Sequence, residues 1–145
     1  SQKVGQSAAP LFLDRIDIQC EISALPFKEL SKAAPGEPSA KIRERVIAAR
    51  ALQTARFKDV PGVHCNAQMT ERMIHQYAEP DEQGLDLMRL AMERLSLSAR
   101  AYSRILKVAR TIADLAASPT VRPEHISEAI TYRQLDRSDW AERGL

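Results

Sequence analysis

Glycine is scarce in this chain of 145 residues. Its five glycines, at positions 5, 36, 62, 84 and 144, never form the Gly-x-x-x-x-Gly-Lys-Ser/Thr loop that wraps nucleotide phosphates. No apolar run ends in the Asp-Glu pair that would hold a magnesium ion beside such a loop. We therefore expect that this chain alone does not hydrolyse a nucleotide.

Potential metal ligands are also few. The three histidines, at positions 64, 75 and 125, are scattered, and no His-Glu-x-x-His pattern occurs. The two cysteines, Cys20 and Cys65, lie far apart and form no Cys-x-x-Cys pair. We predict that no metal site is present, and that both thiols are buried in a protein of a reducing cytoplasm.

No apolar run approaches the roughly 20 residues that span a bilayer, and the first residues lack the apolar core of a signal peptide. The sequence thus predicts a cytoplasmic protein without membrane contact. With 21 basic and 19 acidic residues the formal net charge is +2, which is too balanced to indicate nucleic-acid binding from bulk charge. Local clusters of charge are therefore more informative than the total.

The first 32 residues divide into two segments. Residues 1–9 are small, polar and unpatterned, and are expected to be disordered or left over from cloning. In residues 10–32, the side chains of Ile16, Ile18, Cys20 and Ile22 alternate with polar ones, as in a half-buried strand. No second strand is predicted anywhere, so this orphan strand is expected to belong to a sheet outside the chain.

A linker of helix-breaking residues at 33–40 separates this strand from a region, residues 41–137, that is helical throughout. Ser39, Thr70 and Ser98 are predicted N-caps, and Pro123 is predicted to open the last helix. The predicted fold is all-α, a bundle of about five helices after one orphan β-strand. Residues 138–145, with Trp140, show no period and are expected to form a tail.

The helix after Ser98 has the clearest apolar period and is predicted to be central in the bundle. Arg100 would lie in its first turn, where the helix dipole disfavours a cation. The free N–H groups of that helix end attract anions, so Arg100 and the helix end could together bind a nucleotide phosphate. The alternative is a surface arginine that reaches sideways to a carboxylate.

Six ordered blocks of the sequence resemble the C-terminal part of the magnesium-chelatase-like AAA+ ATPases of the ComM type. The first block contains an Asp-Arg-Ile-Asp motif, and the last two blocks fall in the helix after Ser98. The six blocks are Leu13–Asp17, Ser39–Val46, Ala49–Phe57, Asn66–Met69, Leu97–Tyr102 and Arg104–Leu115. The resemblance covers residues 10–137.

This resemblance implies that the Asp-Arg-Ile-Asp strand ends an ATPase core and that the helices form its lid domain. Arg15 would be similar to an arginine finger, which reaches the γ-phosphate bound by a neighbouring subunit. Arg100 would be the sensor-2 arginine, which contacts the nucleotide of its own subunit. The family further implies ATP and Mg²⁺ as cofactors of the full-length parent, with none bound by this piece alone. Its implied partners are the N-terminal ATPase core, the neighbouring subunits of a ring, usually a hexamer, and DNA during branch migration in natural transformation.

The sequence departs from the family before this motif. The family usually has Ser-Gly-Pro and then two apolar residues before the motif. In this chain three apolar residues, Leu11 to Leu13, follow Pro10. The native pairing of the strand is therefore in question, and Arg15 could be present without acting.

Two other functions remain open from the residues. The Ser98 helix and the helix after Pro123 resemble a helix-turn-helix, in which Arg104, Lys107 and Arg110 could meet DNA phosphates. Glu124 and Glu128 make the second helix a poor reader of a DNA groove. The chain could also be a helical adaptor whose basic face docks on an acidic partner.

Overall fold

The computed structural model describes residues 15–133, and that part of the chain folds into α-helices joined by short loops. Six α-helices and one 3-10 turn follow one another, and no strand occurs in this range. The elements are α1 (Phe27–Leu30), α2 (Ser39–Arg56), the 3-10 turn (Asn66–Gln68), α3 (Glu71–Tyr77), α4 (Glu82–Leu95), α5 (Ala99–Leu115) and α6 (Pro123–Thr131). The all-α fold predicted from the sequence is confirmed.

The helix α5 is the centre of the bundle, as its apolar period predicts. It packs against α2, α3, α6 and the 3-10 turn. Its inward face supplies five fully buried apolar side chains, Ala101, Ile105, Leu106, Ala109 and Ala113. Burial of such a continuous apolar stripe is what gives a bundle of short helices its stability. Within residues 15–133, none of the helices has both the length and the apolarity needed to cross a membrane.

Side-chain caps fix the start of three helices. The oxygens of Thr70, Asp81 and Ser98 accept hydrogen bonds from N–H groups three residues later, which would otherwise lack a partner in the first turn. The caps at Thr70 and Ser98 agree with the sequence prediction. Ser39 does not cap α2, because it is itself the first helical residue and follows Pro38, which makes no side-chain cap bond.

Gly84 allows α4 to approach α6 and the chain before it very closely. A Cβ atom built on Gly84 would lie 2.8 Å from Cβ of Pro80 and 2.9 Å from Cδ1 of Ile126. Both distances are shorter than real carbon contacts. From the sequence alone, Gly84 is expected only to lower the stability of its helix. In the fold, the absence of a side chain at Gly84 allows α4 to pack closely on α6.

The predicted strand is not formed by the described part of its segment. Residues 15–22 have an irregular conformation, while Pro10 to Leu13 lie outside the described residues. The side chains of Ile18 and Ile22 are 55% and 91% exposed, so they do not form a buried face. The physical reason is that a single strand has no partner for its backbone N–H and C=O groups.

The predicted burial of the two thiols is wrong. Cys20 is exposed and Cys65 is partly exposed. The prediction for Cys20 depended on the strand face, which the described residues do not form. Trp140, the tail at 138–145 and the segment 1–9 lie outside the described residues.

Candidate functional site

Arg100 is the second residue of α5, at the end where the N–H groups point outward. The hydroxyl of Ser98 caps this end by accepting the N–H of Ala101 at 3.1 Å. The first turn contains no acidic residue, and the side chain of Arg100 is exposed. Within residues 15–133 it makes no hydrogen bond or ion pair. The sideways carboxylate that the sequence left open is therefore not found in the described part of the chain.

The surface around Arg100 is a shallow depression of about 570 Å³. Arg100, Arg104 and Lys107 line it from successive turns of α5, so three cations follow one edge of the helix. A second depression of similar size, about 580 Å³, is formed by the loop at 57–64 and has no such row of cations. The first depression is therefore the better candidate for binding an anion.

Two of the three cations already have partners in the fold. Arg104 Nη1 lies 2.6 Å from Oδ1 of Asp17, and Lys107 Nζ donates to the carbonyl of Ala67 at 3.1 Å. The hydroxyl of Ser103, between them, donates to the Glu71 carboxylate at 2.7 Å. Among the described residues of the depression, Arg100 is thus the cation that has no protein acceptor.

The same depression contains a phenol, Tyr102. Burial raises the pKa of this side chain, and the nearby carboxylate of Glu79 raises it further. Tyr102 therefore stays neutral and adds no charge to the depression.

Arg110 does not continue the row of exposed cations. Its side chain is 3% exposed, and its guanidinium donates to the carbonyl oxygens of Tyr77, Ser118 and Pro119 at 3.3, 2.7 and 3.2 Å. Burial lowers the pKa of Arg110, and the adjacent Asp114 partly offsets this effect. The predicted row of Arg104, Lys107 and Arg110 along a DNA backbone is therefore not present, because its third member is inside the bundle.

A buried polar network, which sequence reasoning missed, supports α5 from the opposite end. Asp114 accepts two hydrogen bonds from Arg56, at 2.6 and 2.9 Å, and one from Asn66 at 2.8 Å. Asn66 also accepts from Arg56 at 2.9 Å and binds the Gln53 side chain through its backbone N–H at 2.9 Å. These contacts join α2, the 3-10 turn and α5 into one unit.

The charge of Asp114 is stabilised by this network. Burial alone would raise the pKa of Asp114, but the hydrogen bonds from Arg56 and Asn66 and the charges of Arg110 and Arg56 outweigh burial and lower it. A sequence signal was available, since an aspartate in the last turn of a helix is disfavoured by the helix dipole. Such a residue is expected to have a cationic partner.

Arg15, the second candidate site residue, lies at the start of the described chain. Its side chain is exposed and makes no hydrogen bond or ion pair with any residue in 15–133. The structure records no contact between Arg15 and Arg100. They are related through their neighbours, because Asp17 pairs with Arg104 one helical turn beyond Arg100.

The residues described so far provide no ligand set for a metal ion. Within residues 15–133, no group of three or more His, Cys, Asp and Glu side chains is placed to hold one. At the start of α5 the charged groups are mainly cations, and cations suit the oxygens of an anion.

Residues 36–133 match the family model of the C-terminal domain of the magnesium chelatase subunit ChlI. The chain belongs to this family. The match includes α2 to α6 and therefore both the Arg100 depression and the buried Asp114 network. The resemblance to magnesium-chelatase-like proteins that the sequence blocks indicated is confirmed.

Several bacterial proteins are similar to this magnesium chelatase C-terminal domain and to the segment before it. The uncharacterized protein YifB of Escherichia coli (strain K12) is 39% identical over 127 residues, which is 87% of the chain and 24% of YifB. The competence protein ComM of Haemophilus influenzae is 36% identical over 127 residues, which is 87% of the chain and 24% of ComM. An uncharacterized protein of Mycobacterium tuberculosis (strain ATCC 25618 / H37Rv) is 30% identical over 90% of the chain and 25% of its own length. The chain spans about a quarter of the relatives it matches.

Proposed function

We propose that this domain is the lid of a magnesium-chelatase-related AAA+ ATPase and that Arg100 is its sensor-2 arginine, which contacts the phosphates of ATP bound by the rest of the same subunit. The observation that carries the proposal is the exposed Arg100 at the N-terminal end of α5, without an acceptor among the described residues. The family match and the similarity to ComM support the context of this proposal.

The residues around Arg100 fit a polyphosphate. A guanidinium can meet two phosphate oxygens at once, and the end of a helix adds N–H dipoles that favour negative charge. Lys107, whose partner is an uncharged carbonyl, adds positive potential in the same depression. Asp17 offsets the charge of Arg104, and Glu71 is the acidic residue of the lining. Magnesium would be held by ligands outside residues 15–133, since the described residues form no carboxylate cluster for it. The chemistry that ATP supplies is transfer of its γ-phosphoryl group to water.

We also propose that Arg15 acts as an arginine finger towards the nucleotide of a neighbouring subunit in a ring, which the family resemblance implies is a hexamer. Its exposure and the lack of an acceptor within residues 15–133 support this role. An arginine supplied in this way stabilises the charge on the transferred phosphoryl group and can contribute about a thousandfold or more in rate. We further propose, from the family resemblance, that the whole protein acts on DNA; among its relatives is the competence protein ComM.

The decisive experiment replaces Arg100 in a protein that joins this domain to the preceding part of a relative such as YifB. We expect Arg100→Ala to reduce ATP hydrolysis by about a hundredfold or more, as for other preorganised donors to a transition state, with an unchanged circular dichroism spectrum. Arg94→Ala, an exposed arginine at the end of α4, is the matched control and should keep full turnover. Wild-type turnover in Arg100→Ala contradicts the sensor role, and rapid hydrolysis by the 145-residue chain alone contradicts the lid assignment.

The role of Arg15 is tested by mixing subunits. Arg15→Ala subunits can bind ATP but lack the finger, whereas subunits with a disabled phosphate loop keep the finger but cannot bind ATP. If Arg15 acts on the neighbouring subunit, a mixture of the two inactive proteins regains activity. If the mixture hydrolyses ATP no faster than either protein alone, Arg15 has no role across the interface.

A further inference from the structure

Three contacts within residues 15–133 join the segment that begins at Arg15 to the helical bundle. Arg104 Nη1 pairs with Oδ1 of Asp17 at 2.6 Å, and Arg133 Nη1 donates to the carbonyl of Ile16 at 3.1 Å. The backbone N–H of Gln19 donates to the carbonyl of Tyr132 at 2.7 Å. We call residues 15–19 the docked segment.

The three contacts differ in their surroundings. Gln19 is 7% exposed and Arg133 is 1% exposed, so two of the contacts are sheltered from water and join the docked segment to the end of α6. The Arg104–Asp17 pair is partly exposed, with 29% and 41% of the two side chains accessible. Among the contacts of the described residues, it is the one that joins the docked segment to α5, the helix that carries Arg100.

The sequence spacing gives this ion pair a special place. Arg104 follows Arg100 by four residues, so both project from the same edge of α5 in consecutive turns. Asp17 follows Arg15 by two residues. The ion pair therefore lies between the two residues to which nucleotide contacts are assigned above. It is four residues along α5 from Arg100 and two residues along the chain from Arg15.

We propose that Arg104 is a positioning residue, which holds Asp17 so that Arg15 and Arg100 are fixed relative to each other and move together with α5. This inference rests on the proposed function of Arg15 and Arg100. When Arg100 binds a nucleotide in its own subunit and α5 shifts, the docked segment shifts with the helix. The position of Arg15 relative to the nucleotide of the next subunit then changes. The two nucleotide sites are then coupled through one helix, and thermodynamic linkage requires the coupling to act in both directions.

The contact itself can be tested in the 145-residue chain without nucleotide. The measurement is amide hydrogen exchange of Gln19 by NMR, because that N–H belongs to the docked segment and donates to the carbonyl of Tyr132 at the end of α6. We expect Arg104→Gln and Asp17→Asn each to reduce its protection about tenfold, and the charge-swapped double variant Asp17→Arg with Arg104→Asp to restore most of it. Lys107→Gln is the matched control, since Lys107 lies on the same edge but donates to Ala67. Unchanged exchange of Gln19 in Arg104→Gln overturns the proposal.

A distance measurement tests the rigid relation between the two arginine positions. Spin labels are attached to Arg15→Cys and Arg100→Cys in a background with Cys20→Ser and Cys65→Ser, because both native thiols are accessible to the label. We expect a narrow distance distribution that becomes broad on adding Arg104→Gln and narrow again with the charge swap. A distribution that is equally broad with and without Arg104 overturns the proposal.

The outcomes separate this inference from the proposed function. If Arg100→Ala abolishes ATP hydrolysis in the joined protein but Arg104→Gln leaves Gln19 exchange unchanged, only the positioning role is wrong. If Arg104→Gln loosens the docked segment while Arg100→Ala keeps full turnover, the contact exists and the nucleotide role of Arg100 is wrong.

Discussion

The guanidinium of Arg56 meets both carboxylate oxygens of Asp114, with Nη2 2.6 Å from Oδ1 and Nη1 2.9 Å from Oδ2. The Asp114 side chain is fully buried, whereas 14% of the Arg56 side chain is exposed. This pair connects the last turn of α2 to the last turn of α5. Since α5 also carries Arg100 at its other end, the pair helps to hold the helix that presents the candidate site.

The first prediction is that Asp114→Asn destabilises the domain strongly. The substitution leaves the guanidinium groups of Arg56 and Arg110 close together without the carboxylate that both contact. Breaking a buried ion pair from one side typically costs about 3–5 kcal/mol. The free energy of unfolding, measured by urea denaturation, is expected to fall by about that amount.

The control for this prediction is Asp86→Asn. Asp86 also pairs with an arginine, Arg89 at 2.8 Å, but both side chains are mainly exposed. Exposed pairs contribute little to stability, so this variant should unfold at nearly the wild-type urea concentration. Similar losses in the two variants would mean that burial does not strengthen the Asp114 network.

The second prediction concerns acid. The pKa of Asp114 in the folded protein is lowered from the ordinary 3.8, so the unfolded chain takes up the proton more readily. The contribution of the ionised Asp114 to the free energy of unfolding is therefore complete at pH values about one unit or more above 3.8. It is lost as the pH falls through the pKa of Asp114 in the folded protein. Unfolding free energy measured between pH 6 and pH 2 should decrease more steeply for the wild type than for Asp114→Asn. Parallel curves would show that Asp114 titrates alike in both states.

The third prediction is that Gly84→Ala destabilises the domain despite the better helix propensity of alanine. Alanine gains about 1 kcal/mol in a helix interior, but its Cβ would lie 2.8 Å from Cβ of Pro80 and 2.9 Å from Cδ1 of Ile126. Overpacking costs about 1–3 kcal/mol, so a net loss of about 1 kcal/mol is expected. Thermal or urea unfolding measures it.

The matched test removes one of the two clashing atoms. Ile126→Val lacks Cδ1, and alone it should cost about 0.5–1.5 kcal/mol because Ile126 is fully buried. In the double variant with Gly84→Ala, the losses should be smaller than their sum by about 0.5 kcal/mol or more, as for residues in contact. Simple additivity would show that Ile126 is not what limits the space at Gly84.

The central helix and the caps could be predicted from the sequence because their signals are local. The apolar stripe of α5 repeats at helical spacing, and the oxygens of Ser98 and Thr70 bond to N–H groups three residues away. The role of Gly84 could not be predicted in this way. It depends on Ile126, which lies 42 positions later in the numbering and approaches only through the packing of α4 on α6.

The candidate site was predictable only in part, for the same reason. The place of Arg100 in the first turn follows from Ser98, and it is found there. The burial of Arg110 is not visible in the sequence, because its acceptors are backbone carbonyls of Tyr77 and of the loop after α5. The pairing of Arg104 with Asp17 joins residues 87 positions apart, and no periodic pattern indicates it.

The fourth prediction is that removing Arg100 stabilises the isolated chain while harming the proposed function. A cation in the first turn opposes the helix dipole, and Arg100 has no compensating acceptor within residues 15–133. Arg100→Gln should therefore raise the unfolding free energy by about 0.3–1 kcal/mol at low salt, with a smaller gain at high salt. Glutamine has nearly the helix propensity of arginine, so the difference reports charge.

Arg94 provides the opposite case for the same measurement, because it lies in the last turn of α4, where a cation is favoured. Arg94→Gln should lower the unfolding free energy by a similar amount. Opposite signs for the two substitutions would show that Arg100 is kept at an energetic cost to the fold, as expected for a residue whose partner is a bound anion. A loss of stability in Arg100→Gln would instead show that Arg100 has an acceptor within the folded chain, and its role as a phosphate contact would lose its main support.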